Sequence, residues 1–342
     1  MASPGHFGAR SARIEVETRG VSKLKRVVVT DCNFPSLAYE EAAVAAEGAE
    51  FVAQRVANPA ELPSFVEGAD IVLVQLAPIT GTTLSCLEPG SVLIRYGVGY
   101  DNIDIPAALA RGLKVAYVPD YCANEVAEHS AATLLSLLRK LPRLDSGCRN
   151  GLWNSAEQAA PILPFDQTTI GLLGLGRIGR ELVARLKGFG FRMIAYDPFL
   201  SAGSVEDLAV QLVDKDTLVR ESDAISLHAP LTTETRHVVN ADFLDMMRPD
   251  AVLVNAARGG LVDANALATA LNAGQIAAAA LDVFETEPLP TGHPLWSARN
   301  LMITPHAAWY STAALDRLQR LAAEELGRAL RGEPLRCPVP TS

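Results

Sequence analysis

Short runs of β-branched and aliphatic residues recur along the first third of the chain, and helix-forming stretches separate them. The apolar runs lie at 26–30, 71–74, 92–95 and 113–117, and turn residues bound each of them, as is typical of buried strands. Alanine-rich stretches such as 39–47 and 106–111 predict helices between the strands. Strands that alternate with helices predict a parallel sheet with helices on its faces.

A second series of apolar runs follows a long apolar stretch. That stretch, 124–141, predicts a helix ended by Pro142, and 153–164 predicts irregular chain. Further helices are predicted at 181–187 and 312–331, and a third has Asp263 as its N-cap and Gly274 just past its end. The predicted strands of this series are 168–173, 192–196, 224–227, 251–254, 277–281 and 301–303.

The two series together predict an α/β fold with two Rossmann-like, doubly wound parallel-sheet units. The first unit spans residues 24–118 and the second spans 119–303. Residues 1–23 show no periodic pattern, and we expect them to form a loose tail. The chain has no low-complexity tract and no repeat of solenoid period.

Composition narrows the class of function. The 39 acidic residues outnumber the 30 basic ones, the formal net charge is −9, and no basic tract occurs, which argues against nucleic acid or anionic lipid as a partner. No apolar run approaches the roughly 18–20 residues of a membrane span, and the first residues lack the apolar core of a secretory signal. The five cysteines are widely spaced and form no CxxC motif, so we expect no disulfide framework, no metal site and a cytoplasmic location.

A glycine-rich turn follows the first strand of the second series. Gly174, Gly176 and Gly179 form a GxGxxG motif between a predicted strand and a predicted helix. In this context the glycines permit a tight turn, close approach of the backbone to a pyrophosphate and close helix packing, and the helix N-terminus favours the anion. Asp197 ends the next strand, where a carboxylate accepts hydrogen bonds from the adenosine ribose and repels a 2′-phosphate. The motif therefore predicts NAD(H); the alternative is a glycine turn that serves packing alone.

Candidates for the chemistry of hydride transfer lie after later strands. His306 follows the last strand at the carboxyl edge, where ligands bind in open parallel sheets, and His228 follows another strand without an acid nearby in sequence. Arg258 follows a strand and can clamp a carboxylate with two parallel N–H bonds, and a surface salt bridge is the alternative. Glu287 could bond His306 and favour its charged form, with Glu285 as the rival and a solvated loop as the alternative for both. The remaining histidines are more typical of structural or solvated positions: His6, His129, His237 and His293.

Several motifs, in this order along the chain, resemble the D-isomer-specific 2-hydroxyacid dehydrogenase family. The resemblance covers roughly residues 70–330. Its motifs are RYGVGYDNID (95–104), GLGRIG (174–179), HAPL (228–231), NAARGG (255–260), LDVFETEP (281–288) and TPH (304–306). The segments YDPFL (196–200) and HAAWYS (306–311) are similar to the C-terminal-binding-protein branch of the family.

The resemblance implies a domain organisation and a quaternary structure. A discontinuous, flavodoxin-like substrate domain would contain residues 24–118 and 304–342, and residues 119–303 would form the NAD-binding domain. The family usually forms homodimers through the cofactor domain. The alanine-rich helix that begins near Asn124 and the arm after it would then form the interface.

The resemblance also implies roles for individual residues. Arg258 would bind the substrate, His306 would donate or accept the proton, and Glu287 would support His306. The substrate would contact Tyr96, Gly97, Val98, Gly99 and Trp309, with backbone N–H groups of 97–99 on its carboxylate. The cofactor would contact Gly174, Gly176, Arg177, Ile178, Gly179, Asp197, Ala229, Pro230, Thr235, Ala256, Ala257, Arg258, Asp282 and His306.

The predicted function is the NAD(H)-dependent reduction of a 2-oxoacid to a D-2-hydroxy acid, or the reverse reaction. Two alternatives stay open at this point. The same fold could act as a formate- or phosphite-type dehydrogenase. The C-terminal-binding-protein branch also includes transcriptional corepressors, in which NAD(H) binding drives assembly rather than turnover.

Overall fold

Two all-parallel sheets form the framework of the structure, a computed structural model that describes residues 24–340. The first sheet contains β1 (Arg26–Val29), β2 (Glu50–Ala53), β3 (Ile71–Val74), β4 (Val92–Arg95) and β5 (Lys114–Tyr117). Its strand order is β2-β1-β3-β4-β5, which is the flavodoxin-like order. The predicted loose tail, 1–23, lies outside the described residues.

The second sheet is larger and has the Rossmann arrangement. It contains β6 (Thr169–Leu173), β7 (Arg192–Tyr196), β8 (Gln211–Leu212), β9 (Ala224–Leu227), β10 (Val252–Asn255), β11 (Ala278–Leu281) and β12 (Leu301–Ile303). Its order is β12-β11-β10-β9-β6-β7-β8, so the direction of winding reverses at β6. Ligands of open α/β sheets bind at the carboxyl ends of the strands beside such a reversal. The predicted fold class is confirmed.

Helices cover the sheets and connect their strands. In chain order they are α1 (Ala38–Ala46), α2 (Leu62–Val66), α3 (Gly81–Leu84), α4 (Ile105–Ala110), α5 (Ala123–Leu138), α6 (Leu141–Arg149), α7 (Ser155–Ala159), α8 (Arg177–Leu186), α9 (Lys215–Glu221), α10 (Ala241–Met246), α11 (Ala264–Ala273) and α12 (Thr312–Leu330). The predicted caps of α11 are confirmed, since the Asp263 carboxylate accepts N–H bonds from Asn265 and Ala266 and Gly274 has φ 70°. Within the described residues, no helix combines the length and apolar character that a membrane crossing needs.

The structure differs from the sequence prediction at two sheet edges and around Pro142. Strands β2 and β8, each at a sheet edge, were not predicted, because they have only four and two residues and none of their side chains is fully buried. The helix predicted for 124–141 ends at Leu138, and Lys140 then takes φ 53°. Pro142 lies in the first turn of α6, where its missing N–H removes no intrahelical bond. The segment predicted as irregular, 153–164, contains the short helix α7.

The two long helices belong to different sheets, and this decides where the chain crosses between them. α5 packs against α8 and against β9, β10 and β11 of the second sheet. α12 follows β12 in sequence but packs against α1, β3 and β4 of the first sheet. Strands such as β3 and β10 are buried along their whole length because helices cover both faces. The chain therefore crosses between the sheets twice, after β5 and after β12.

Candidate active site

The carboxyl ends of the two sheets meet at one cleft, and Arg258 crosses it. Arg258 follows β10 of the second sheet, and its Nε donates a 2.8 Å hydrogen bond to Oδ1 of Asp101, which follows β4 of the first sheet. Its Nη1 donates to the carbonyl of Ala257 at 2.6 Å. Its guanidinium also lies directly against the backbone of Gly99, where any side chain would overlap it. Arg258 is therefore held in the cleft with Nη2 unused by these two bonds.

The Asp101 carboxylate is held in its charged form by this contact. Burial acts to raise its pKa, but the charge and hydrogen bond of Arg258 outweigh burial and lower the pKa below its ordinary value. Arg95 lies on the same side of the cleft, where burial lowers the pKa of its guanidinium to about 10, so it stays charged at neutral pH. The Asp101 carboxylate thus lies near two guanidinium groups, those of Arg258 and Arg95, and such a pair of positive charges suits an anionic ligand.

His306 and Glu287 form a hydrogen-bonded pair at the same edge. His306 lies between β12 and α12, and its Nδ1 is 2.7 Å from Oε2 of Glu287, which follows β11. The other carboxylate oxygen of Glu287 accepts the backbone N–H of Phe284 at 2.9 Å. Both side chains are about one-third exposed, at 36% for the ring and 33% for the carboxylate. Because Glu287 occupies Nδ1, the Nε2 of His306 is the ring nitrogen left to exchange a proton with a ligand.

The alternative candidates from the sequence have other partners. His228 lies 2.9 Å from the hydroxyl of Ser226, and burial lowers the pKa of its ring to about 4, so the ring is neutral at pH 7. Glu285 contacts Arg236 at 2.6 Å and His237 at 3.0 Å. Of the two acids that competed in the sequence, the structure therefore brings Glu287 and not Glu285 to His306.

Free backbone N–H groups lie beside the Arg258 guanidinium. The N–H of Gly97 is already used, since it donates to the carbonyl of Arg95 at 3.0 Å. Between residues 24 and 340, the N–H groups of Val98 and Gly99 donate to no protein acceptor. Two backbone donors and a guanidinium that share one cleft form a ready anion site.

Two aromatic residues predicted to contact the substrate lie in different surroundings. The side chain of Tyr96 is only 1% exposed, and its hydroxyl donates to Oε1 of Glu40 at 3.0 Å. Its ring is therefore part of the core of the first sheet, and the expectation that it lines the pocket has to be corrected. Trp309 is half-buried, and its ring centroid lies 6.1 Å from that of the buried Tyr121.

The glycine turn has the geometry that a dinucleotide needs. Gly174 has φ 92°, and a Cβ there would lie 2.7 Å from the backbone nitrogen of Ala229. A Cβ on Gly179 would lie 2.8 Å from the carbonyl of Gly174, whereas one on Gly176 would meet open space. Gly176 is the N-cap of α8, and no side chain caps this helix. The first turn, with Arg177 and Ile178, thus offers unshared N–H groups and the positive end of a ten-residue helix to a pyrophosphate.

Asp197 lies at the end of β7, against the glycine turn. Its Oδ2 accepts the N–H of Leu175 at 2.9 Å, and its Oδ1 accepts the N–H of Phe199 at 3.0 Å. These bonds fix a half-buried carboxylate next to the turn and leave lone pairs for ribose hydroxyls. No arginine follows it before Leu200 to neutralise a 2′-phosphate. The residues present therefore fit NAD(H).

The other predicted cofactor residues lie at strand ends of the same edge. Ala229 and Pro230 follow β9, and Thr235 closes their loop by donating to the carbonyl of Pro230 at 2.7 Å. Ala256 and Ala257 follow β10 beside Arg258. Asp282 follows β11 and is buried, with its carboxylate bonded to the backbone beyond His306. No cluster of side chains that could hold a metal ion occurs in the part of the chain that the structure describes.

Sequence reasoning did not assign three residues that shape this site. Asp101 and Arg95 both belong to a motif quoted above, but only the fold shows that they flank Arg258 across the cleft. Asn255 ends β10, and its amide accepts from Ala257 N–H at 3.0 Å and donates to the Arg258 carbonyl at 2.8 Å. The polar residue at the end of an otherwise apolar strand was the available signal for Asn255.

Comparison with known proteins identifies the class to which this site belongs. Residues 131–308 match the family model described as "D-isomer specific 2-hydroxyacid dehydrogenase, NAD binding domain". The chain belongs to this family, which confirms the prediction from the motifs and confirms NAD(H) as the cofactor. These matches do not test the resemblance to the C-terminal-binding-protein branch, which stays a prediction.

Individual relatives support this membership. The chain is 38% identical over 275 residues to D-3-phosphoglycerate dehydrogenase of Methanocaldococcus jannaschii, with 80% of this chain and 52% of that protein covered. It is 41% identical over 251 residues to glyoxylate reductase of Thermofilum pendens, with 71% and 72% covered. D-lactate dehydrogenase from Aquifex aeolicus, solved with NAD and lactic acid, superimposes with a TM-score of 0.78 at 26% identity and covers 90% of this chain and 96% of that chain. The chain spans about half the length of the phosphoglycerate dehydrogenases that it matches.

Proposed function

We propose that the protein is an NAD(H)-dependent D-2-hydroxyacid dehydrogenase that reduces a 2-oxoacid to a D-2-hydroxy acid, or catalyses the reverse reaction. The observation that supports the proposal is that Arg258, Glu287 and His306 follow three neighbouring parallel strands, β10, β11 and β12, at their carboxyl ends. His306 is bonded to Glu287, and Arg258 is bonded across the cleft to Asp101. The family membership supports the same activity.

The anionic end of the substrate would be held from both sides of the cleft. Arg258 would offer its Nη2, because Asp101 and the Ala257 carbonyl already take hydrogens from its other nitrogens. The free N–H groups of Val98 and Gly99 would complete the carboxylate site. Trp309, in the segment between β12 and α12, would border the side chain of the substrate, and Tyr96 is left out because its ring is buried.

His306 would move the proton of the reaction. When bound, NADH supplies the hydride that reaches the keto carbon, and the developing alkoxide needs a proton. The Nε2 of His306 would donate that proton, while the carboxylate of Glu287 on Nδ1 favours the charged ring and fixes its orientation. In the oxidative direction the same nitrogen would accept the hydroxyl proton. The cofactor residues described above would hold NAD(H).

Replacement of His306 by alanine tests this assignment. We expect His306→Ala to lower kcat by about two to four orders of magnitude, the usual range when a general acid is lost. The measurement is NADH oxidation at 340 nm with glyoxylate, pyruvate, 3-phosphohydroxypyruvate and other 2-oxoacids, and with NAD and formate or phosphite as the competing reactions. His293→Ala is the matched control and should retain activity, since the ring of His293 accepts the N–H of Leu295 and is not bonded to Glu287 or His306. A His306→Ala protein with wild-type turnover would remove the central residue from the mechanism.

We also propose a homodimer, formed through the NAD-binding domain. The support is a group of large apolar side chains that the single chain leaves exposed on α6 and the segment after it: Leu141, Leu152, Trp153 and Leu163. Exposed apolar groups of this size are typical of a protein interface.

The division into a substrate domain of 24–118 and 304–342 and a cofactor domain of 119–303 is likewise proposed, with the packing of α12 on the first sheet as its support. Five free cysteines are in keeping with a cytoplasmic location, which we propose on that ground.

A further inference from the structure

A partly enclosed chain of hydrogen bonds runs from α5 to the loop that carries His306. His129, on α5, places its Nε2 3.3 Å from the hydroxyl of Thr304. That hydroxyl lies 2.5 Å from Oδ1 of Asp282, and the same carboxylate oxygen is 4.0 Å from His129 Nε2. The side chain of Asp282 is 2% exposed and that of His129 is 23% exposed. The three side chains thus form one partly enclosed polar chain behind the cleft.

Counting hydrogens fixes the direction of this chain. The Thr304 hydroxyl has one hydrogen, and the short contact with a carboxylate, which can only accept, directs that hydrogen to Asp282. Thr304 Oγ1 can therefore only accept from its other neighbour. His129 must then carry a hydrogen on Nε2 and donate it to Thr304. Every bond in the chain points from α5 towards the carboxylate.

The carboxylate of Asp282 in turn holds the backbone around His306. Its Oδ1 accepts the N–H of Ala307 and its Oδ2 accepts the N–H of Ala308, each at 2.9 Å. The carbonyl of Asp282 accepts the N–H of His306 at 2.8 Å. His306 has φ 52°, a conformation that costs free energy in a residue other than glycine and persists only where neighbouring contacts impose it. Asp282 supplies those contacts on both sides of His306.

We propose that His129 is a positioning residue for His306, acting through Thr304 and Asp282 and making no contact with substrate. The expected effect on turnover rests on the proposed function, whereas the expected effect on the backbone around His306 does not. Removing the donor of His129 leaves Thr304 Oγ1 without that partner and loosens the carboxylate that imposes the left-handed turn. The turn then samples conformations in which the ring of His306 leaves its place beside Glu287.

Three variants of α5 separate a hydrogen bond from simple packing. His129→Leu replaces the ring with an apolar side chain of similar volume that has no hydrogen-bond donor. His129→Gln has an amide N–H donor at a distance from the backbone comparable to that of the histidine Nε2. Ser130→Ala is the matched control, since Ser130 is the next residue of α5, is fully buried and has a hydroxyl without a hydrogen-bond partner among the described residues.

The first measurement is hydrogen–deuterium exchange of a peptide that contains Ala307 and Ala308, in the protein without ligands. We expect these amides to exchange about threefold to tenfold faster in His129→Leu, the effect of losing one hydrogen bond, and at the wild-type rate in His129→Gln and Ser130→Ala. Equal exchange in His129→Leu and wild type overturns the proposal. Equal acceleration in His129→Leu and His129→Gln also overturns it, because the histidine would then only fill space.

The second measurement is steady-state turnover with NADH and a 2-oxoacid. A loosened proton donor lowers kcat, by about threefold to tenfold in His129→Leu, while the KM for the 2-oxoacid stays near the wild-type value because Arg258 is untouched. A changed KM with an unchanged kcat contradicts the positioning role. If the wild-type protein reduces no 2-oxoacid, the proposed function fails, and the exchange measurement decides the role of His129 by itself.

Discussion

A single added methyl group at Gly99 should disable the anion site and leave the fold intact. Gly99 does not have a positive φ, so its backbone accepts alanine, but the new Cβ would overlap the guanidinium of Arg258. The tip of a long side chain moves more easily than backbone, so Arg258 is displaced. Its bonds to Asp101 and to the Ala257 carbonyl, at 2.8 and 2.6 Å, cannot both survive that displacement.

The expected magnitude follows from the bonds that a displaced guanidinium loses. A hydrogen bond to a charged group contributes about 1.5–3 kcal/mol, and Nη2 of Arg258 is the nitrogen proposed to make such a bond to the substrate carboxylate. A loss of about 1.5–3 kcal/mol lowers kcat/KM by about 13-fold to 160-fold. Because the carboxylate is bound equally in the ground state and the transition state, most of this change should be a higher KM.

The assay is steady-state reduction of a 2-oxoacid by NADH, with the dissociation constant for NADH measured separately by fluorescence. Gly99→Ala should bind NADH as the wild type does and melt at nearly the same temperature. Gly188→Ala is the matched control, since a Cβ at Gly188 meets no atom within 4 Å. A Gly99→Ala protein with the wild-type KM would show that the substrate carboxylate does not bind between Arg258 and the 98–99 backbone.

Three further predictions concern the cofactor, the core and the interface. Asp197→Asn removes the negative charge beside the ribose site but keeps an acceptor, so the ratio of kcat/KM for NADH to that for NADPH should fall by about tenfold; an unchanged ratio would mean that Asp197 does not select the cofactor. Burial raises the pKa of the Glu40 carboxyl, so the folded protein holds this proton more tightly than the unfolded chain, and the resulting stability is present at low pH and lost as the pH rises through the folded pKa. Glu40→Gln cannot ionise. Urea unfolding at several pH values should therefore show that the free energy of unfolding of Glu40→Gln increases relative to that of the wild type as the pH rises above 4.5. Parallel pH profiles would refute this. Trp153, 90% exposed in the single chain, should be buried in the dimer, so light scattering should give Trp153→Asp about half the mass of the wild type, and a retained dimer mass would exclude this face.

The sequence alone located each proposed catalytic residue, but it did not identify the residue with which each one pairs. Arg258, Glu287 and His306 each follow an apolar run, and the carboxyl ends of parallel strands share one edge, so their proximity was a fair expectation. The conformation of the loop after β11 decides which acid pairs with His306. In this loop Glu285 contacts His237, and Glu287 contacts His306. Loop conformation depends on many weak contacts that no local pattern encodes.

The burial of Tyr96 also could not be predicted from its place in the sequence. An aromatic residue next to the predicted substrate-binding segment 97–99 was expected to line the pocket, but successive side chains at the end of a strand point to opposite faces of the sheet. This alternation directs the side chain of Tyr96 into the core, where its hydroxyl donates a hydrogen bond to the carboxylate of Glu40. The acceptor lies 56 positions away along the chain, so only the packing of α1 on the sheet brings the two together.

The two parallel sheets, the dinucleotide turn and the preference for NAD(H) could be predicted from residue order alone, because the period of the apolar runs and the turn chemistry are local and the acidic residue lies only 18 positions after the last glycine of the motif. The pairing of Asp101 of one sheet with Arg258 of the other, and the contacts of His129, Thr304 and Asp282 next to the loop of His306, required the folded chain. These contacts join elements separated by 22 to 175 residues. Such pairs form through the packing of whole helices and sheets, and local residue patterns contain no record of that packing.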